Sequence, residues 1–192
     1  GANSIPIKRP VIPPEDPRAR LVEKILIGTR NLNKVVDELL ESTRPLDLRM
    51  RPVNCAEIID AAISFLEIGN RPITIANLTP RNLKVYVDSD KIRQVFLNVL
   101  LNAVQSIESD GDIQISATMN AQMIDVAIKD TGCGIPNDKI SQVFSPFFTT
   151  KEKGTGLGLA IAAKIVDGHG GTMRAESGVG TGTTIMVSLP KA

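Results

Sequence analysis

The feature that most constrains the fold of this chain is a pair of predicted strands, 113–119 and 123–130, separated by only a short turn. The second strand alternates apolar Ile124, Val126 and Ile128 with polar neighbours, which is the period-two pattern of a strand with one buried face. Strands joined by a short turn pair antiparallel, and here they stand among predicted helices. We therefore expect an α/β (α+β) two-layer sandwich, in which helices cover one face of a mixed, mainly antiparallel sheet.

The 192 residues are predicted to contain one compact domain with an appendage before it. Residues 1–17 contain five prolines and little periodicity, so we interpret them as a flexible or extended lead-in. Residues 18–44 repeat apolar side chains every seven residues, and Pro45 ends the pattern. The heptad repeat favours a long helix of a coiled coil or bundle, with an ordinary core helix as the alternative. The compact domain is expected over 45–192.

The other predicted elements of this domain place helices between strands. No internal repeat and no low-complexity tract interrupts them. In chain order they are a helix at 56–66, strands at 73–78 and 83–87, a helix at 91–107, an irregular stretch at 131–155, a helix from about 155 to 167, and two last strands that flank the turn 178–180.

Composition and charge exclude several classes of partner and site. The 22 basic residues nearly balance the 21 acidic ones, aromatic residues make up 3%, and tryptophan is absent, so we expect no nucleic-acid binding. Cys55 and Cys133 lie far apart, which argues against a zinc site or a disulfide scaffold and for a reducing compartment. The amino terminus lacks a signal-peptide organisation, and no apolar run approaches the roughly 20 residues that cross a bilayer. We therefore expect a cytoplasmic fragment and leave a membrane anchor in a longer parent protein open.

The helix predicted over 91–107 follows candidate N-caps at 88–90 and carries an unusual polar face. Gln94, Asn98 and Asn102 stand four residues apart, so they line up on one side. A solvated face usually carries Lys and Glu, so we favour a polar ridge that contacts a ligand and keep a solvated face as the alternative. The side-chain oxygen of Asn102 suits a hard cation such as Mg²⁺, which prefers oxygen ligands.

Asp130 continues the inward-facing positions of the strand 123–130. A carboxylate at such a position is costly unless it is bonded. The glycine-rich turn that follows at 131–136 allows the backbone to approach a ligand closely. Asp130 is therefore a candidate acceptor for an exocyclic amine such as that of adenine, and an aspartate that caps its own β-turn is the alternative.

Two more glycine clusters follow along the chain. Gly154, Gly156 and Gly158 open a predicted helix, and the backbone N–H groups at a helix N-terminus suit phosphates. Their spacing is neither that of a P-loop nor that of a Rossmann fingerprint, because no strand leads into them. The cluster at 178–182, followed by Thr183, could belong to a ligand site, and a simple hairpin turn is an equally good interpretation.

Together and in this order, the segments resemble the nucleotide-binding fold that histidine kinases share with type II topoisomerases, a chaperone family and mismatch-repair ATPases (the GHKL superfamily and its Bergerat ATP-binding fold). The resemblance covers about residues 45–190 and is closest to sensor histidine kinases of the nitrogen-regulation type, through the run VFSPFFTTKEKGTGLGLAI. The matching motifs are QVFLNVLLNA (94–103) for the N box, DTGCG (130–134) for the G1 box, FSPFF (144–148) for the F box and GTGLG (154–158) for the G2 box.

The resemblance implies a site for ATP. Asp130 would bind the adenine amino group, with Gly132, Gly134 and Thr183 nearby. Residues 137–155 would form a mobile lid over the nucleotide. The phosphates would lie in a cradle formed by Gly154, Thr155, Gly156, Leu157 and Gly158.

The resemblance also implies a reaction. Asn102 would bind Mg²⁺, and Asn98 and Lys151 would assist it in catalysis. Members of the superfamily that hydrolyse ATP have a glutamate one helical turn before the metal-binding asparagine. Here that position is Asn98, which cannot act as a base. Phosphoryl transfer to a nucleophile from another segment is therefore favoured over rapid hydrolysis.

The predicted function is that of the catalytic domain of a sensor histidine kinase, which transfers the γ-phosphate of ATP to a histidine on a dimerisation helix absent from this chain. The only histidine, His169, follows a helix end, where a side chain can cap the last carbonyls, so we interpret it as structural. Residues 18–44 would be the second helix of the dimerisation hairpin, and this fragment would not phosphorylate itself.

The resemblance also implies the partners of the parent protein. These are a second copy, bound through the dimerisation helices, and the receiver domain of a response regulator. An anti-sigma-type serine kinase and a nucleotide-binding interaction module without transfer activity are the alternative functions.

Overall fold

The structure is a computed structural model, and it describes most of the chain from Pro45 onward and scattered positions before it. The described residues are 45–66, 68–69, 71–151 and 154–192, together with 18, 19, 21, 22, 24–26, 28, 29, 32, 36, 39 and 40. All the described positions between 18 and 40 are helical. The predicted lead-in at 1–17 lies outside the described residues.

From Pro45 onward the described residues form a two-layer α/β sandwich, which confirms the predicted fold class. In chain order its elements are β1 (Arg51–Asn54), α1 (Cys55–Ser64), β2 (Ile73–Asn77), β3 (Lys84–Val87), α2 (Ser89–Ser106), β4 (Gly111–Met119), β5 (Met123–Asp130), α3 (Asn137–Ile140), α4 (Gly158–Gly168), β6 (Thr172–Gly178) and β7 (Gly182–Pro190).

The main sheet is mixed and mainly antiparallel, as predicted. Its five strands stand in the order β2-β4-β5-β7-β6. Only the pair β2 and β4 is parallel among these neighbours. The register sets the last residue of β5, Asp130, between Ile113 of β4 and Thr183 of β7. Strands β1 and β3 form a separate two-stranded antiparallel sheet.

Helix α2 lies at the centre of the helical layer. It packs against α1 on one side and α4 on the other. The apolar residues of its inner face are buried against the sheet, which leaves the polar ridge free to face elsewhere. Its N-cap is Asp88, whose carboxylate accepts hydrogen bonds from the backbone N–H groups of Asp90 and Lys91.

His169 joins the end of α4 to this N-cap. The side chain is buried, at 4% exposure, and its Nδ1 lies 2.7 Å from the carbonyl oxygen of Ile165. The backbone N–H of Asp88 donates to Nε2 over 3.0 Å, so Nε2 is unprotonated and the ring proton is on Nδ1. The predicted capping role of His169 is thereby confirmed.

Three details differ from the prediction. Strand β1 was not predicted, because its four half-exposed residues carry no alternating pattern and it forms by pairing with β3. The short helix α3 lies within the stretch predicted to be irregular. Helix α4 begins at Gly158 and not near Thr155, because Gly156 has a φ of 68°, which a right-handed helix does not contain.

Among the residues that the structure describes, we find no helix with both the length and the apolar composition needed to cross a bilayer.

Candidate nucleotide-binding site

Four segments that are distant in sequence meet on one side of the domain. They are the polar face of α2, the end of β5 with the turn after it, the β6–β7 turn, and the loop that leads into α4. Hydrogen bonds join them in pairs, from Ser106 to Asp130, from Gly180 to Cys133, from Lys151 to Asn102 and from Asn98 to Gly158. The structure therefore brings the predicted site residues together.

Asp130 is held at the end of β5 by one of its two carboxylate oxygens. The side chain is 5% exposed, and Oδ1 accepts hydrogen bonds from Gly132 N–H (2.8 Å), Ser106 Oγ (3.1 Å) and Thr183 N–H (3.2 Å). Oδ2 accepts no hydrogen bond from the described residues, so it remains available to a donor on a ligand. Burial raises the pKa of Asp130, and the three donors and the charge of Lys151 offset part of this effect.

The turn after β5 packs backbone to backbone on the β6–β7 turn. Gly134 has a φ of 73°, and a Cβ at this position would collide with the carbonyl of Gly178. The N–H of Gly180 donates to the carbonyl of Cys133 over 2.8 Å. The glycine cluster at 178–182 is therefore a hairpin turn that also supports the turn after Asp130.

The ridge on α2 has its amides fixed in orientation. Asn102 Nδ2 donates to the carbonyl of Asn98 over 3.1 Å, which directs the side-chain oxygen Oδ1 away from the helix and into the site. Asn98 Nδ2 donates to the carbonyl of Gly158 over 3.0 Å and so joins α2 to the start of α4. Asn102 thus presents an oxygen, while Asn98 connects two elements of the site.

Lys151 reaches from the loop to the same ridge. Its Nζ donates to Asn102 Oδ1 over 3.0 Å and to Gln105 Oε1 over 2.8 Å. Burial lowers the pKa of Lys151, while the nearby Cys133 and Asp130 act in the opposite direction. The site therefore holds an ammonium group close to where the predicted cation would lie.

The predicted phosphate cradle lies just before α4 and includes the first residue of that helix, Gly158. Leu157 is the N-cap, and it makes no side-chain hydrogen bond that would satisfy the N–H groups of the first turn. Such N–H groups attract anions at a helix N-terminus. The side chain of Leu157 is buried in the core, so only its backbone can face a ligand. Thr155 Oγ1 accepts a hydrogen bond from Leu157 N–H over 3.3 Å and so braces the loop.

A comparison with protein families decides which fold family this site belongs to. The family described as histidine kinase-, DNA gyrase B- and HSP90-like ATPase matches residues 87–192, which include all four segments of the site. The chain belongs to this family. The family expected from the motifs is thereby confirmed, and its members' description indicates a domain that binds ATP.

Individual members of this ATPase family that resemble the chain are sensor histidine kinases. ZraS of Escherichia coli strain K12 is 36% identical over 162 residues, which is 83% of this chain and 35% of ZraS. The mycobacterial sensor histidine kinase MprB superposes with a TM-score of 0.68 at 29% identity, over 74% of this chain and 98% of that chain. ThkA, solved in complex with the response regulator protein TrrA, gives 0.76 at 27% identity, over 95% of this chain and 53% of that chain. The chain spans about a third of the length of the curated relatives it matches.

Two residues of the candidate site were not predicted, namely Gln105 and Ser106. Both lie on the last turn of α2, where Ser106 continues the four-residue spacing of Asn98 and Asn102. That spacing was the signal available for Ser106. The two residues were not predicted because their partners, Asp130 for Ser106 and Lys151 for Gln105, lie in segments far along the chain.

The side chains on α2 fit a divalent cation. Within the described part of the chain, no group of three or more His, Cys, Asp or Glu side chains is clustered as a metal site. The amide oxygens of Asn102 and Gln105 are hard donors of the type that Mg²⁺ prefers, and a nucleotide would add phosphate oxygens to them. The donor set therefore matches a cation that arrives with a nucleotide.

Proposed function

We propose that this chain is the ATP-binding catalytic domain of a sensor histidine kinase. In this reaction the γ-phosphoryl group of ATP moves to a ring nitrogen of a histidine that lies outside this chain, and ADP leaves. The observation that carries the proposal is the amide at position 98. Asn98 stands one helical turn before Asn102, at the position where hydrolysing members of the superfamily have a glutamate that acts as a general base. Its side-chain amide donates to the Gly158 carbonyl and cannot act as a base.

Each site residue would have its own role in binding and positioning ATP. Asp130 Oδ2 would accept a hydrogen bond from the adenine amino group, since Oδ1 is already used by three protein donors. Asn102 would hold Mg²⁺, which supplies charge neutralisation at the phosphates when it is bound. Lys151 would add a positive charge beside the phosphates, and the start of α4 would add backbone N–H groups.

The acceptor would come from another segment of the parent protein. His169 is buried, and both of its ring nitrogens are engaged, with Ile165 and Asp88, which leaves neither nitrogen free to attack a phosphate. The helical positions before Pro45 support a dimerisation helix, because large apolar side chains are exposed there at heptad positions, among them Val22, Ile25, Leu32, Val36 and Leu39.

The partners of the parent protein are proposed on the same basis. The exposed heptad positions support a homodimer formed through the dimerisation helices. The complex of ThkA with the response regulator protein TrrA supports a response regulator receiver domain as the second partner.

Calorimetric titration of ATP with Mg²⁺ tests the nucleotide site. We expect a dissociation constant in the micromolar to sub-millimolar range, roughly −8 to −5 kcal/mol, weakened in both Asp130→Asn and Asn102→Ala. A folded wild-type chain that binds no adenine nucleotide would contradict the proposal.

A transfer assay tests the reaction itself. The chain is mixed with γ-labelled ATP and with the histidine-bearing dimerisation hairpin of the parent protein. We expect acid-labile label on the hairpin and little release of free phosphate. Rapid phosphate release without labelling of the hairpin would assign the chain to the hydrolysing members of the family instead.

A further inference from the structure

Lys151 forms a bridge between two amide oxygens of α2. Its Nζ lies 3.0 Å from Asn102 Oδ1 and 2.8 Å from Gln105 Oε1. Asn102 and Gln105 are three residues apart, so their side chains are neighbours on one surface of the helix. The ammonium group therefore occupies a position where two oxygens from one helix converge.

The orientation of these amides shows that the converging atoms are oxygens. Asn102 donates through Nδ2 to the carbonyl of Asn98, so its oxygen is the atom that faces the site. An ammonium group only donates, so it pairs with the oxygen of each amide. The same two oxygens suit Mg²⁺, which takes oxygen donors and keeps several of its water molecules.

An ammonium group and a divalent cation repel each other, so they would not share these oxygens. Asn102 Oδ1 is already the candidate ligand for Mg²⁺, and Lys151 takes this atom in the structure. Asp130 is the carboxylate that faces Lys151 from the neighbouring turn, and no hydrogen bond joins it to Nζ among the described residues. The amide oxygens of α2 are therefore the local anchor of this ammonium group.

We propose that Gln105 is a second oxygen donor of the cation site, directly or through a cation-bound water, and that Lys151 and the cation compete for the oxygens of Asn102 and Gln105. This inference rests on the proposed function, because it requires a site for ATP with Mg²⁺. When nucleotide and cation bind together, Lys151 leaves the two amides and pairs with phosphate oxygens. When nucleotide binds without the cation, Lys151 supplies the positive charge alone.

The test compares ATP affinity with and without Mg²⁺. The ratio of the dissociation constant in EDTA to that in saturating Mg²⁺, here termed the magnesium gain, is measured by calorimetry. We expect Gln105→Ala to lower the magnesium gain about tenfold, the lower end of what loss of an outer or weak donor costs a metal site. Lys151→Met should weaken binding in EDTA more than in Mg²⁺ and so raise the gain.

The matched control is Gln122→Ala, which removes an exposed amide in the β4–β5 turn, at the far end of β5 from Asp130. It should leave the magnesium gain unchanged. Thermal unfolding of each variant verifies that it is folded, which is expected because Gln105 is exposed and alanine favours a helix.

Two results would overturn the inference while the proposed function stands. One is wild-type binding with a clear magnesium gain that Gln105→Ala leaves unchanged. The other is a Lys151→Met variant that loses the same factor of affinity with and without Mg²⁺, since then the ammonium and the cation do not compete. If the wild type binds no ATP in either condition, the proposed function itself is wrong.

Discussion

The backbone of Phe147 lies directly against Gly156, and both residues have a positive φ, of 66° and 68°. Phe147 is 63% exposed, so its side chain gains little from burial that would offset this conformation. A left-handed conformation is unfavourable for a residue with a Cβ, and such strain is concentrated at functional sites. This contact brings the F box against the G2 box.

The contact between Phe147 and Gly156 predicts the effect of Gly156→Ala. A Cβ at this position would lie 2.7 Å from the carbonyl oxygen of Phe148, besides colliding with the Phe147 backbone, and neither group can turn away. We expect ATP affinity to fall at least about tenfold, or about 1.4 kcal/mol, because the cradle before α4 is displaced. Calorimetric titration of ATP with Mg²⁺ measures this loss.

Gly170→Ala is the matched control for that prediction. Gly170 has a φ of 72°, but a Cβ there meets nothing within 4 Å. The variant should lose only the roughly 1–2 kcal/mol of unfolding free energy that a left-handed alanine costs and should bind ATP normally. Equal losses of ATP affinity in the two variants would show that backbone strain alone, and not the contact with Phe147, explains the effect.

Asp130→Asn is predicted to separate stability from function. Burial raises the pKa of Asp130, which means that the folded state disfavours its charge. An asparagine of the same shape keeps an acceptor for the N–H groups of Gly132 and Thr183 and removes the charge. We expect the free energy of unfolding at neutral pH to rise by about 1 kcal/mol while ATP binding is weakened. Urea unfolding and ATP titration of the same sample measure both, and a destabilised variant would contradict the prediction.

The same carboxyl group predicts how ATP binding depends on pH. The ionised carboxylate would accept a hydrogen bond from the adenine amino group. Because the folded-state pKa of Asp130 is raised, lowering the pH should begin to weaken ATP binding at a higher pH than for an ordinary aspartate. The stability contribution has the corresponding sign: stability decreases as pH rises from the unfolded-state pKa through the folded-state pKa of Asp130. A carbon NMR titration of the Asp130 carboxyl gives the midpoint directly. A midpoint at or below that of a free aspartate would contradict the prediction.

Ser106→Ala tests one of the residues that the sequence did not reveal. Ser106 Oγ lies 3.1 Å from Asp130 Oδ1, and its removal leaves that oxygen with two backbone donors. We expect ATP affinity to fall about threefold to tenfold, in line with the net contribution of about 0.5–1.5 kcal/mol of a typical hydrogen bond, and the midpoint of the Asp130 titration to rise. Ser109→Ala, an exposed serine a few residues away, should change neither quantity.

His169 is predicted to be important for stability. Substitution by alanine removes two hydrogen bonds and leaves the Asp88 N–H and the Ile165 carbonyl without this partner, so we expect a loss of about 2–3 kcal/mol in urea unfolding. His169→Gln can still accept from Asp88 and should lose less. Nitrogen NMR should show the proton of the neutral ring on Nδ1, and the opposite tautomer would contradict the contacts described.

The elements of this fold were largely predictable because their patterns are local. The alternation that ends in Asp130 marks β5, and Asp88 marks the start of α2, since each reflects a constraint between residues a few positions apart. The short strand β1 was not predictable, because it is formed by pairing with β3 and carries no pattern of its own.

The sequence by itself determined the residue types of the site and their order: an amide ridge on a helix, an acid at a strand end and glycines before a helix. Only the tertiary structure decided which atoms meet. Ser106 contacts Asp130 across 24 residues and Lys151 contacts Gln105 across 46, and no periodicity spans such separations. The physical reason is that a helix or strand pattern records burial of one face, whereas the partner of each polar atom depends on how those faces are packed together.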